Sequence, residues 1–193
     1  MGAFTMRLLR LLPFVLLQGA VALAQSSSTY SVGRTPTPEE IRAWDISISP
    51  AGTELPQGHG TGTEGAALYR QKGCAGCHGA TLTGGRAPTL LKADKGPGVG
   101  PWELGRVLPF RAPYATIVWD YINRGMPLNR EGTLTADEVY ALTAFLLFKN
   151  GVIAEDEVLD AQSLPKVKMP MREAPAPLPE WKHGAPRLKG YPY

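Results

Sequence analysis

Cys74-Ala75-Gly76-Cys77-His78 is the stretch that decides the fold of this 193-residue chain, and it contains both of its cysteines. The spacing C-x-x-C-H is the attachment signature of a c-type haem. Two thiols three residues apart can reach the two vinyl groups on one porphyrin edge, and the histidine that follows can ligate the iron as a neutral imidazole. The motif predicts one haem c per chain, covalently attached to Cys74 and Cys77, with His78 as the proximal ligand of the iron.

Two other interpretations of the cysteine pair have less support. A thioredoxin-type redox pair needs the motif at the junction of a strand and a helix in a βαβ unit, and no strand is predicted before Cys74. A zinc site needs further ligands, and the sequence has no second Cys/His pair that could complete one. Two cysteines also exclude a disulfide-dense scaffold.

The segments around the motif predict a mainly α-helical fold. Apolar residues recur at helical spacing in three segments after residue 60: Glu64 to Lys72, Tyr114 to Asn123 and Thr135 to Phe148. A shorter helix that ends at Trp44 is predicted from the capping-box pattern at Thr37 and Glu40, and a second such pattern, at Thr135 and Glu138, opens the last helix. Residues 79–113 hold seven Gly and five Pro and predict a long ordered loop, which is unusual unless the loop wraps something.

The iron needs a sixth ligand or keeps an open position on its distal side. The candidates outside the first 24 residues are three methionines and two histidines: Met126, Met169, Met171, His59 and His183. Met126 is preferred, because the Gly-Met-Pro turn that follows a predicted helix can present its sulfur to the far face of the haem. Met169 is the second candidate. A thioether ligand raises the reduction potential relative to a second imidazole.

Other residues are candidates to support the haem and its proximal ligand. A ligating histidine usually donates its other ring N–H to an acceptor, which fixes the orientation of the ring. Pro88, ten residues after His78, is predicted to supply the carbonyl that accepts this hydrogen bond. Arg86, Trp102 and Arg111 are either partners of the haem propionates or ordinary surface residues.

The first 24 residues predict a secretory signal peptide. Arg7 and Arg10 precede a 14-residue apolar run that is short for a membrane span and ends in Ala22-Leu23-Ala24. An uncleaved membrane anchor is the alternative. We expect an exported protein, in the periplasm or on the outer face of the cytoplasmic membrane, with no membrane span after cleavage.

The net charge of +3 is unevenly distributed along the chain. Removal of the signal leaves 18 basic and 17 acidic residues, a net charge of +1. Residues 25–164 carry 12 basic and 15 acidic side chains, whereas residues 165–193 carry 6 basic and 2 acidic ones together with seven prolines. This pattern predicts an extended basic tail and does not indicate a nucleic-acid groove.

Two long segments resemble class I cytochromes c. Residues 65–78 resemble the first helix and haem site of that family, and residues 134–147 resemble its last helix. The resemblance implies the class I cytochrome c fold, in which a few helices surround one covalent haem. It implies a division of the chain into four parts: a signal peptide (1–24), an N-terminal arm with a short helix (25–59), the cytochrome c domain (60–150) and a Pro-rich basic extension (151–193).

Shorter motifs resemble the cytochrome subunits of sulfite and sulfane dehydrogenases. They occur in order along the chain at residues 33–46, 55–58, 113–127, 158–161 and 166–172. In that family a molybdenum-cofactor partner oxidises sulfite or a protein-bound sulfur, and its electrons pass one at a time to the haem. The resemblance implies such a donor, another cytochrome or a terminal oxidase as acceptor, and Met126 as the distal ligand. Residues from about Ala174 onward have no counterpart in that family.

Three other functions stay open on the sequence alone. A general periplasmic electron carrier would accept electrons without preference for a sulfite-oxidising enzyme. A haem enzyme or gas sensor with an open sixth position would show a high-spin spectrum and rapid CO binding after reduction. A structural or assembly module would bind a partner through its tail, with the haem incidental.

Overall fold

The computed structural model describes residues 33–100 and 103–173 of the chain. Across these residues six α-helices alternate with long irregular segments, which confirms the mainly helical prediction. The helices are α1 (Pro38–Trp44), α2 (Gly62–Gln71), α3 (Ala75–His78), α4 (Leu108–Arg111), α5 (Ala115–Gly125) and α6 (Ala136–Lys149). Two short strands, β1 (His59–Gly60) and β2 (Leu159–Asp160), pair with each other, and a 3₁₀ helix spans Leu164–Lys166.

Several predictions concern parts of the chain outside the described residues. These are the signal peptide, Trp102, His183 and the tail from residue 174. Within the described ranges, no helix has both the length and the apolar character that a membrane crossing requires.

Hydrogen bonds in the first turns explain where helices α2 and α6 begin. At α6 the Glu138 N–H donates to Thr135 Oγ1 at 3.3 Å, and the Thr135 N–H donates to the Glu138 carboxylate at 3.1 Å, as the predicted capping box requires. Another capping box, which was not predicted, joins Thr61 and Glu64 before α2. It starts that helix at Gly62, two residues earlier than expected.

The chain divides into two compact units between Trp44 and Asp45, and α1 belongs to the first. The predicted capping box forms here, with the Glu40 N–H donating to Thr37 Oγ1 at 3.3 Å. Arg34 donates to the Glu40 carboxylate at 2.7 Å. No residue of α1 is buried, so local hydrogen bonds and ion pairs are what define this helix.

Helix α6 is the centre of the second unit. Its residues 139–147 are all buried, so other elements surround the helix. Helix α2 crosses it so closely that a Cβ added at Gly65 would lie 1.9 Å from the carbonyl oxygen of Ala141. Beside this crossing the rings of Tyr69 and Phe145 pack with their centroids 5.4 Å apart. The two helices are therefore in direct backbone contact.

The chain after α6 returns to the same core. Strand β2 pairs antiparallel with β1, and Gly60 lies opposite Leu159. The side chains of Leu159, Leu164 and Met169 are buried in the hydrophobic cluster that also contains the buried face of α6. The core thus continues past the predicted boundary at residue 150, because apolar residues of the following segment pack on the helices.

Replacing Gly65 by alanine tests the contact between α2 and α6. The new Cβ would collide with the backbone of Ala141, which cannot turn away as a flexible side chain can. We expect the free energy of unfolding to fall by about 1–3 kcal/mol, the usual cost of overpacking a core. Denaturant unfolding of the purified protein measures this change.

Gly125→Ala is the matched control for that variant. A Cβ at Gly125 meets nothing within 4 Å, and alanine favours the helical state by about 0.5–1 kcal/mol relative to glycine. This variant should be as stable as the parent or slightly more stable. Equal losses of stability in the two variants would contradict the close crossing.

Candidate haem site

The two cysteines and His78 lie on one helical turn that follows α2. Cys74 is the N-terminal cap residue of α3, and neither cysteine is in a disulfide. Both are half-buried, and burial raises the pKa of the Cys74 thiol. A helix rather than a strand precedes the pair, so the βαβ junction of a thioredoxin-type site is absent from this part of the chain.

The ring of His78 is held by the backbone of Pro88. His78 Nδ1 lies 2.8 Å from the Pro88 carbonyl oxygen. Because a carbonyl oxygen only accepts hydrogen bonds, Nδ1 carries the proton and Nε2 keeps a free lone pair. The contact joins His78 to Pro88, the residue predicted to accept its hydrogen bond. It leaves Nε2 available as a metal ligand.

The loop that contains Pro88 is fixed from two sides. On one side the Ala87 N–H donates to the carbonyl oxygen of Cys77 at 2.9 Å. On the other side Asn150, buried at the end of α6, donates from Nδ2 to the carbonyl oxygen of Leu90 at 2.9 Å. The carbonyl that orients His78 is therefore tied both to the cysteine turn and to the central helix.

The candidates for the distal ligand lie in different surroundings. Met126 is the C-terminal cap residue of α5 and packs, partly buried, against the main hydrophobic cluster. Met169 is enclosed within that cluster, whereas Met171 belongs to a separate small cluster with Val107 and Phe110. Met126 is the methionine whose side chain lies at the edge of the core rather than inside it.

Three polar candidates are also placed by the structure. The side chain of His59 is 69% exposed and lies 3.9 Å from the Asp137 carboxylate, as an ordinary surface histidine would. Exposed Arg86 donates to Cys77 Sγ at 3.4 Å, so its guanidinium lies beside the cysteine tether. Arg111 is half-buried on α4.

Asn150 was not predicted as a site residue, but it holds the loop that orients His78. Its side chain is buried, its Nδ2 donates to the carbonyl oxygens of Leu90 and Leu146, and its Oδ1 accepts from the Lys92 N–H at 2.9 Å. The contacts with the loop join residues 58 and 60 positions apart in the chain. No local signal in the sequence reveals contacts at such a separation.

The residues present fit a covalently attached haem. The site provides two free thiols on one turn and an imidazole whose Nε2 is available to the iron. Across residues 33–100 and 103–173, no three His, Cys, Asp or Glu side chains converge so as to hold a bare metal ion. The zinc interpretation gains no support from these residues.

Comparison with known proteins gives two matches. A family model described as cytochrome C oxidase, cbb3-type, subunit III, matches residues 60–146. A chain in the crystal structure of the sulfane dehydrogenase SoxCD from Paracoccus pantotrophus is 35% identical, with a TM-score of 0.63, and the match covers 77% of this chain and 72% of that chain. No curated protein matches the sequence significantly. The structural match is thus longer than the family-model match.

Proposed function

Because the chain belongs to the class I c-type cytochromes, we propose that it receives single electrons from a molybdenum-containing sulfite or sulfane dehydrogenase. It passes them to another cytochrome or a terminal oxidase. The family itself implies electron transfer on a covalently bound haem c. The finer assignment is supported by one observation: the match to the SoxCD chain covers 77% of this chain, whereas the family model ends at residue 146.

The segment beyond the family-model match supports the same assignment. Residues 158–161 and 166–172 carry motifs that resemble the cytochrome subunits of sulfite and sulfane dehydrogenases. These motifs contain buried side chains, among them Leu159, Val167 and Met169. The resemblance therefore involves residues that build the core of this particular cytochrome, and not an accessory tail.

The protein's own residues determine how the haem is held. Cys74 and Cys77 supply the two thioether sulfurs, and His78 offers Nε2 to the iron while Pro88 fixes its Nδ1–H. When bound, the haem supplies a reversible one-electron couple at its iron. The chain binds no substrate in this scheme, so it acts as an electron carrier or as the redox subunit of a dehydrogenase complex.

Met126 is the proposed distal ligand. It directly follows α5, whose buried face packs on the central helix, so the position of its backbone is well defined. Its side chain lies at the edge of the hydrophobic cluster, and core residues do not surround it on all sides. Met169, by contrast, is 4% exposed and already fills a place in the core.

The proposed location is the periplasm or the outer face of the cytoplasmic membrane. The predicted signal peptide supports this location. The proposed docking point for redox partners is the half-exposed surface beside Cys74 and Cys77, because electron transfer is fastest where the haem edge comes closest to the partner.

Replacing each methionine by leucine tests the distal ligand, because leucine removes the sulfur and nearly conserves the volume. Met126→Leu should abolish the sulfur-to-iron charge-transfer band in the far-red spectrum of the ferric protein. Its reduced form should then bind CO rapidly. Met169→Leu is the matched control and should keep the band. Loss of the band in Met169→Leu but not in Met126→Leu would assign the ligand to Met169.

Stopped-flow reduction of the ferric protein tests the proposed donor. A sulfite dehydrogenase with sulfite, a sulfane dehydrogenase with its substrate and an unrelated periplasmic dehydrogenase would be compared at equal concentration. We expect one of the two sulfur-oxidising enzymes to reduce the protein at least about tenfold faster than the unrelated enzyme, since complementary docking surfaces raise association rates by this order. Equal rates with all three donors would favour a general electron carrier.

A further inference from the structure

Tyr69, in the last turn of α2, carries a hydroxyl that the packing of the core does not require. Its side chain is 2% exposed, and its ring packs against Phe145 of α6 with the centroids 5.4 Å apart. A phenylalanine at this position would fill the same space and make the same ring contact. Because a buried hydroxyl is unfavourable unless it is hydrogen-bonded, the partner of this hydroxyl indicates its role.

The partner is the residue that directly follows the proximal ligand in the sequence. Tyr69 Oη donates to the carbonyl oxygen of Gly79 at 2.8 Å, and Gly79 follows His78. Burial raises the pKa of Tyr69 to about 12, so the hydroxyl keeps its proton at neutral pH and remains a donor. The hydrogen bond therefore joins the last turn of α2 to the backbone on the C-terminal side of His78.

The backbone that accepts this hydrogen bond is tightly folded. The φ of Gly79 is +84°, and a Cβ added there would lie 1.8 Å from the carbonyl oxygen of Thr83. The N–H of Leu82, a residue that is 1% exposed, donates to the same Gly79 oxygen at 3.2 Å. The residues after His78 thus turn back sharply, and the Tyr69 hydroxyl holds this turn against α2.

The hydrogen bond at His78 Nδ1 joins two parts of the chain that are held from different helices. The loop that contains Pro88 is held by Asn150 at the end of α6, whereas the turn after His78 is held by Tyr69 at the end of α2. The 2.8 Å distance between Nδ1 and the Pro88 carbonyl oxygen depends on both. We infer that the Tyr69 hydroxyl sets the hydrogen bond between His78 and Pro88, and through it the reduction potential of the haem iron.

In this role Tyr69 is a positioning residue that acts through His78. A hydrogen bond from Nδ1 to a carbonyl raises the basicity of the ligating imidazole, and a more basic ligand stabilises the ferric state relative to the ferrous state. Loss of the Tyr69 hydroxyl lets the turn relax and weakens that bond, so the reduction potential should rise. The inference rests on the haem and not on the identity of the electron donor, so it stands or falls independently of the sulfite or sulfane assignment.

The first test compares the reduction potentials of the Tyr69→Phe and Tyr140→Phe holoproteins. Tyr140→Phe is the matched control, because Tyr140 is also buried and its hydroxyl donates to a backbone carbonyl, that of Pro56, at 2.9 Å. At a fixed ambient potential, the ferric-to-ferrous ratio of Tyr69→Phe should fall about threefold, which corresponds to a potential about 28 mV higher for one electron. Tyr140→Phe should keep the ratio of the parent, and the sulfur-to-iron band should persist in both variants.

The second test observes the hydrogen bond of His78 itself, in the reduced and diamagnetic holoprotein labelled with ¹⁵N-histidine. The Nδ1–H resonance of His78 is identified by elimination, with glutamine variants of His59 and His183. In Tyr69→Phe we expect this proton to move upfield and to exchange faster with solvent, because its hydrogen bond is weaker. A hydroxyl that only stabilised the fold would leave this resonance where it is in the parent.

An unchanged potential in Tyr69→Phe, or an equal rise in Tyr140→Phe, would overturn the inference. If Tyr69→Phe fails to fold or to take up haem, the parent holoprotein decides. The Tyr69 hydroxyl proton and the Leu82 amide proton point to one oxygen, so a slowly exchanging hydroxyl with a nuclear Overhauser contact to that amide supports the inference, and its absence contradicts it. Failure of the sulfur-oxidising enzymes to reduce the protein preferentially would leave all these readouts unaffected.

Discussion

The backbone contact between α2 and α6 at Gly65 and Ala141 is the constraint on which the rest of the structure depends. It fixes the direction in which α2 ends, and the cysteine turn α3 follows that end within three residues. The same central helix ends at Asn150, whose amide holds the loop that orients His78. Helix α5, which leads to Met126, packs on α6 as well. One buried helix thus positions every part of the proposed haem site.

The return of the chain after α6 distinguishes this protein from a minimal cytochrome c domain. Strand β2 pairs with the residues just before α2, and Leu159 and Leu164 are fully buried. A segment that contributes to the core cannot vary freely without loss of packing. This explains in physical terms how the similarity to the SoxCD chain can extend past the end of the family-model match.

Local signals in the sequence predicted much of the fold and the proximal half of the site. The C-x-x-C-H motif, the box at Thr135 and the spacing of Pro88 from His78 depend on residues close in sequence, and such signals can be read without tertiary information. The burial of five apolar side chains between residues 159 and 171 was missed, because the proline-rich composition suggested an extended tail and did not reveal the pairing with residues near α2. The contacts of Asn150 with Leu90 and Lys92 were missed, because they join residues far apart in the chain.

Intact mass measurement of the mature protein purified from its native compartment tests the central claim most directly. The account predicts the polypeptide mass plus one haem, retained after acid–acetone extraction, with no free thiol at Cys74 or Cys77. Both results follow from two thioether bonds to a single porphyrin. A bare polypeptide mass, a haem that acid–acetone removes, or two titratable thiols would contradict the account.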